Sequence, residues 1–321
     1  MSGKAPISAH RTRRYPRGYR CRISTYSTPM RGLAQRYISA SSLRRLLFSR
    51  FPRATPLPRS SAPHFKKVRY LSSTTMATTS DSHVVPAIQP KVASLFEDIE
   101  RTFASTKLGG SRWYILTLAA LVGGTEPEVA DQLYLYIINK PEFQQSSVRQ
   151  KLIRELREVL VKLISIVGVC KPLEAIIAIM KVEKEEDRDY SFSRENWQCD
   201  QANHEKGMEW MRKIYTHNVE PTLDLFKAHQ DFRWISTEIT YGLYLSDRQN
   251  LDDIDTELLV LVGIMIQNLR LETHWHIRGT RRIGVSKEDV ETIMECVKKV
   301  AEFMGTTLNK IPTVEEVEKD V

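Results

Sequence analysis

The sequence predicts an all-α protein, a helical bundle in two related halves. Three observations carry this. From residue 81 onward only seven prolines occur, at 86, 90, 127, 141, 172, 221 and 312, and they fall where helical patterns begin or end. Apolar residues recur at the three- and four-residue spacing of one helix face, and the strict alternation of a half-buried strand is nearly absent.

Taken in order, the pattern predicts helices at about 91–105, 111–122 and 126–139. The third is opened by the capping box Thr125-Glu126-Pro127-Glu128 behind Gly123-Gly124, and a second box over 147–150 opens a long amphipathic helix at 147–168. Arg157, Lys162 and the glutamates of that helix read as its solvated face. Pro172 opens a helix to 182. The charge run over 183–189 (EKEEDRD) and the polar stretch to 198 read as a solvated connection. Helices follow at 200–217, 221–229, 231–244, 256–271 and 273–283, where Gly284-Val285-Ser286 stops one helix and caps the last, at 287–304. The two halves run over about 91–182 and 200–304. Glu158 and the apolar run behind it match Glu257 and its run, which is the signature expected of a duplicated helical unit.

Charge divides the chain. Residues 1–80 hold 14 Arg, 3 Lys and no acidic residue, a charge of +17, which leaves −9 for the rest of a chain whose total is +8. Basic charge confined to a segment without a folding pattern argues against nucleic-acid binding by the acidic folded part. Residues 1–75 are Arg- and Ser-rich, with an amphipathic stretch at 43–51 (LRRLLFSRF) and a processing-site pattern around Arg69-Tyr70-Leu71-Ser72. This is the composition of a mitochondrial transit peptide, and it points to the matrix. The alternative is a cytoplasmic form starting at Met76. Lys162 interrupts one apolar run and residues 267–270 end the other, so no membrane span is expected. Cys21, Cys170, Cys199 and Cys296 are isolated, without metal-ligand spacing, and no metal is expected. Cys199 and His204, five apart, supply at most two ligands.

Chemistry-bearing residues gather in the second half. The run over 258–266 is apolar all round and must be buried, so Glu257 enters a buried helix. A partly desolvated carboxylate there can act as acid or base, although glutamate in a first turn is also favoured by the helix dipole alone. Glu272 and His276 are four apart and share a helix face, whereas His274 and Arg278 point the other way. Gly279 permits a close approach, by a packed helix or by a ligand.

The stretch THWHIRGTRRIGVSKEDVETI, beginning at Thr273, resembles the signature of carboxymuconolactone decarboxylase-like proteins, which share a helical fold with alkyl hydroperoxidase D. In the hydroperoxidase branch a Glu stands nineteen residues before the His, as Glu257 does before His276, and a C-x-x-C pair ends four before it. Leu269 and Glu272 occupy those cysteine positions here, so thiol peroxidase chemistry through that pair is excluded. Glu272 four before His276 is similar to the decarboxylase branch. The resemblance implies an alkyl hydroperoxidase D-like bundle and a lyase that uses no cofactor. Glu257, Glu272 and His276 would do acid and base work on a small carboxylated or lactone-like substrate, in a homo-oligomer. A non-catalytic oligomeric scaffold is the alternative, and antioxidant chemistry through Cys170 and Cys296 a further one.

Overall fold

The computed structural model describes residues 86–321. The targeting segment over 1–75, its processing site, the Met76 start and Cys21 lie outside the described residues. Among the described residues the chain is helical and contains no strand. None of these helices is long and apolar enough to cross a membrane.

The centre of the fold is built by the two most apolar helices. In α2 (Arg112–Gly123) every residue after the first is buried, and in α9 (Asp253–Met265) every residue from Thr256 on is buried. A helix apolar all round has no solvent face, so neighbours must cover it on every side. The two helices lie side by side and point the same way. Near their beginnings Arg112 Nε donates to Asp255 Oδ1 at 2.7 Å, and near their ends a Cβ on Gly123 would lie 3.1 Å from the Gly263 carbonyl oxygen. Lys171 closes the end of α2 by donating to the carbonyls of Gly123 and Gly124 at 3.0 and 2.7 Å, where the helix dipole favours a cation.

Around this pair pack α1 (Pro90–Phe103), α3 (Ala130–Ile138, entered through a 3-10 turn), α4 (Ser146–Val167) and α5 (Cys170–Val182). The later chain adds α6 (Gln201–Tyr215), the short α7 (Val219–Asp224) and α8 (Gln230–Trp234), α10 (Arg270–Arg282) and α11 (Lys287–Phe303). A short α12 (Val314–Glu318), which periodicity did not suggest, opens with a capping box at Thr313.

Four local readings are corrected. Neither the box at Thr125 nor the one at Ser147 forms; the N-caps are Glu126 and Gln145, with no side-chain cap bond. The functional cap is Asp252, which accepts from the Asp255 N–H while Asp255 accepts from the Asp252 N–H, so α9 starts three residues earlier than its apolar run suggests. α9 also ends earlier. Asn268 takes a left-handed φ of 59°, breaking the chain before Arg270 rather than at 272. Finally, α8 continues into a π-helix over Ile235–Leu245, a wide-turn form concentrated at functional sites. That segment packs backbone to backbone on α6, since a Cβ on Gly207 would meet the Gly242 nitrogen at 2.6 Å. It carries Tyr241 toward the site described next.

Candidate functional site

Glu257 and His276 meet in the core. His276 Nδ1 lies 2.8 Å from Glu257 Oε1, with the residues 5% and 0% exposed. Because α9 begins at Asp253, Glu257 stands beyond its first turn, where the dipole of the helix end no longer accounts for a carboxylate. An ionised carboxylate only accepts, so Nδ1 carries the shared proton and Nε2 is left for chemistry. Nε2 makes no hydrogen bond among the described residues. Glu257 Oε2, in contrast, is sealed and without a partner.

Two tyrosines lie beside the pair. Tyr215, at the end of α6, and Tyr241, in the π-helix, share a hydroxyl–hydroxyl bond of 2.8 Å, and the Tyr215 ring stands edge-on to His276 at 6.2 Å between centroids. Burial is the main cause that raises the pKa of each phenol, so both remain neutral donors near neutral pH. Their mutual bond uses one of two hydroxyl protons, and the other is free to donate to an oxygen that develops charge. Sequence periodicity could not find this pair, because residues 26 apart are joined only by the packing of two helices.

Gly279 is explained by the same geometry. A Cβ there would lie 3.1 Å from Glu257 Oε1 and 3.1 Å from Ile214 Cβ, so the glycine admits both the carboxylate and α6. Gly279→Ala is therefore expected to displace the carboxylate from Nδ1 and to cost about 1–3 kcal/mol of stability, measurable by urea unfolding.

Glu272 shares the α10 face of His276 but lies partly exposed, and no hydrogen bond joins the two among the described residues; its charge is felt at Tyr215. His274 bonds Asp320 at 3.0 Å at the surface. Arg281 pairs with Glu318 through two bonds, at 2.9 and 2.8 Å, and Arg282 donates to the backbone oxygens of Tyr215 and Asp320. Arg278, on the other side of α10, is 8% exposed and makes no hydrogen bond or ion pair among the described residues.

The reading of Lys162 as solvated is overturned, because it is 0% exposed. Its ammonium donates to the Asp247 carbonyl at 2.6 Å and to Thr256 Oγ1 at 2.8 Å, one residue before Glu257. Glu158 is buried beside it and accepts two bonds from Arg194, at 2.6 and 2.7 Å. Asp187, within the charge run read as solvated, is likewise buried and accepts from Arg149 at 2.7 Å. An amphipathic pattern shows which arc of a helix is polar, not whether later chain folds over it.

Cys296 is buried, with its thiol pushed up to about 12 mainly by burial, whereas Cys170 is exposed; both are free. A thiol so suppressed is a poor nucleophile, and peroxide chemistry through this pair has no geometric support. His204 bonds Glu238 at 2.7 Å rather than a cysteine, and among the described residues no three metal-ligating side chains converge.

No family model, no curated protein and no solved structure matches this chain. Fold and site together define a class: an all-α protein with a buried imidazole–carboxylate pair beside two hydrogen-bonded phenols.

Proposed function

We propose that the protein is an acid–base enzyme of the carboxymuconolactone decarboxylase-like type, acting without a cofactor on a small carboxylated or lactone-like substrate. The observation that carries this reading is the 2.8 Å Glu257–His276 contact, which holds the imidazole by Nδ1 and leaves Nε2 without a partner among the described residues. In the proposed reaction the carbon–carbon bond to a carboxylate breaks and its electron pair passes into a conjugated carbonyl, releasing carbon dioxide. The free phenol proton and His276 Nε2–H of the protonated ring stabilise the enolate oxygen, and Nε2–H then passes its proton to the carbon, leaving a neutral imidazole that regains a proton from water. Glu257 orients the ring and balances its charge; Glu272 acts from the rim.

The signature beginning at Thr273 and the spacing of nineteen support membership of that superfamily. The duplication has a counterpart in the packing of α4 beside α9 in the same direction: Lys162 reaches Thr256, and further along Gly263 faces Leu163 and Val167. In the first half Glu158 is engaged by Arg194, so only the second half presents a free imidazole–carboxylate pair. The acid-free basic segment supports delivery to the mitochondrial matrix.

The test is carbon dioxide release from a panel of small lactone acids, comparing the wild-type protein with His276→Ala. A scaffold would release none in either form.

A second copy of the chain is the partner proposed for α5. Val169, Leu173, Ile177 and Met180 form a stripe at helical spacing, each between 45% and 56% exposed. Leu173→Lys with Ile177→Lys is expected to convert an oligomer to a monomer in analytical ultracentrifugation. A wild-type protein that already sediments as a monomer at micromolar concentration rules the interface out.

A further inference from the structure

The side of α10 that faces away from His276 carries a second feature that the reaction above does not use. Arg270, Leu271, His274, Trp275 and Arg278 wall a cavity of about 290 Å³. Its lining holds two guanidinium groups, an imidazole and the flat apolar surface of Trp275, and no carboxylate.

Arg278 is the anomaly. Each of the other arginines in the last turns of α10 has a partner: Arg281 holds the Glu318 carboxylate and Arg282 holds two backbone oxygens. Arg278 is more than nine-tenths buried, its Nε is sealed from solvent without an acceptor, and no carboxylate lies within ion-pair distance of it among the described residues. The nearest candidate, Asp320, is taken by His274 at 3.0 Å. Leaving a buried cation unpaired costs several kcal/mol, and proteins pair such groups or use them. Burial in fact lowers the pKa of this guanidinium, the direction expected of a cation short of anions.

We propose that this cavity is a binding site for a small planar carboxylate, gripped by Arg278 and laid against Trp275. The guanidinium fork matches a carboxylate in a two-bond geometry that an ammonium cannot reproduce, and Arg270 at the rim adds attraction for an incoming anion. Trp275 and Leu271 supply an apolar wall on which a flat body buries its surface. The volume suits a molecule of benzoate size, not a nucleotide or a peptide. His276 lies two residues away on the opposite side of the helix, and the Tyr215 ring stands edge-on to both Trp275 and His276, so the two sites are neighbours that the test below reads separately.

The test is isothermal titration of the full chain with benzoate, with the neutral isostere benzamide, and with inorganic phosphate. Benzoate is expected to bind one per chain and benzamide not to bind at the same concentrations, a comparison that needs no variant. Arg278→Met, which keeps the length of the side chain and removes the orphan cation, is expected to weaken benzoate at least tenfold without lowering Tm. Arg278→Lys is expected to fall between the two. Glu257→Gln, which is expected to keep the fold, is expected to bind benzoate as the wild type does, even where turnover is lost. The proposal is overturned if benzamide binds as well as benzoate, if phosphate binds more tightly than benzoate, or if Arg278→Met leaves benzoate affinity unchanged. It is also overturned if benzoate fails to bind and Arg278→Met dissociates an oligomer, since an acidic side chain of a second copy would then be the partner of Arg278.

Discussion

His276→Ala is expected to cost about 3–5 kcal/mol of stability and to abolish turnover, the larger of the two effects that separate an enzyme from a scaffold. Among the described residues Glu257 Oε2 already lacks a partner and Oε1 bonds only His276, so the substitution leaves a fully buried carboxylate with no donor there. Glu257→Gln behaves differently, because its amide oxygen still accepts from Nδ1–H while the charge is gone. Its stability is expected to stay within about 1 kcal/mol of the wild type. Its turnover is expected to fall by about 100-fold or more, since imidazolium formation then has no counter-charge. Urea unfolding and carbon dioxide release on the same preparations measure both quantities. A Glu257→Gln protein with undiminished release sinks the acid–base role.

Replacing Lys162 by methionine is expected to remove most of the alkaline dependence of stability. In the folded chain the ammonium is sealed between α4 and α9, and burial, with the Arg248 charge as a second cause, brings its pKa down to about 7 from 10.5. Between these values the unfolded chain holds the proton and the folded chain has released it. Stability attributable to this group therefore rises with pH from about 7 to about 10.5, and is at its lowest below 7, where both states are protonated. The full span is on the order of 5 kcal/mol. Unfolding midpoints at pH 6, 8 and 10 in the wild type and in Lys162→Met read this directly. A wild-type curve that stays flat across the window, or an equal rise in both proteins, shows that the lysine is not the titrating group.

Much of the helical framework was legible without coordinates, and the reasons are local. The runs in α2 and α9 are apolar on every side, which allows only a central position, and Gly284 with Ser286 stops and caps neighbouring helices as read. The resemblance, through its spacing of nineteen, put Glu257 and His276 in one site without predicting their contact, and Glu272, on the same helical face as His276, had equal standing there. The cap of α9 was missed because Asp252-Asp253-Asp255 was passed over for the apolar run behind it. The break at Asn268 was missed because it depends on contacts with Asn309 and Lys310, far along the chain.

What the sequence determined by itself is periodicity and content: helices, their approximate order, a buried α9, an acidic region behind a basic N-terminal segment, and a histidine set nineteen residues after a glutamate. Only the tertiary structure decided which polar groups lose their water. Lys162 and Glu158 sit on a polar arc identical in pattern to a solvated one, and they are buried because Arg194, Asp247 and Thr256 fold over that arc. Tyr215 and Tyr241 are joined because Gly207 and Gly242 let two backbones touch. Arg278 is orphaned because Asp320, the acidic group whose charge it feels, is taken by His274. Desolvation belongs to the whole packed chain, so it cannot be read from any one helix.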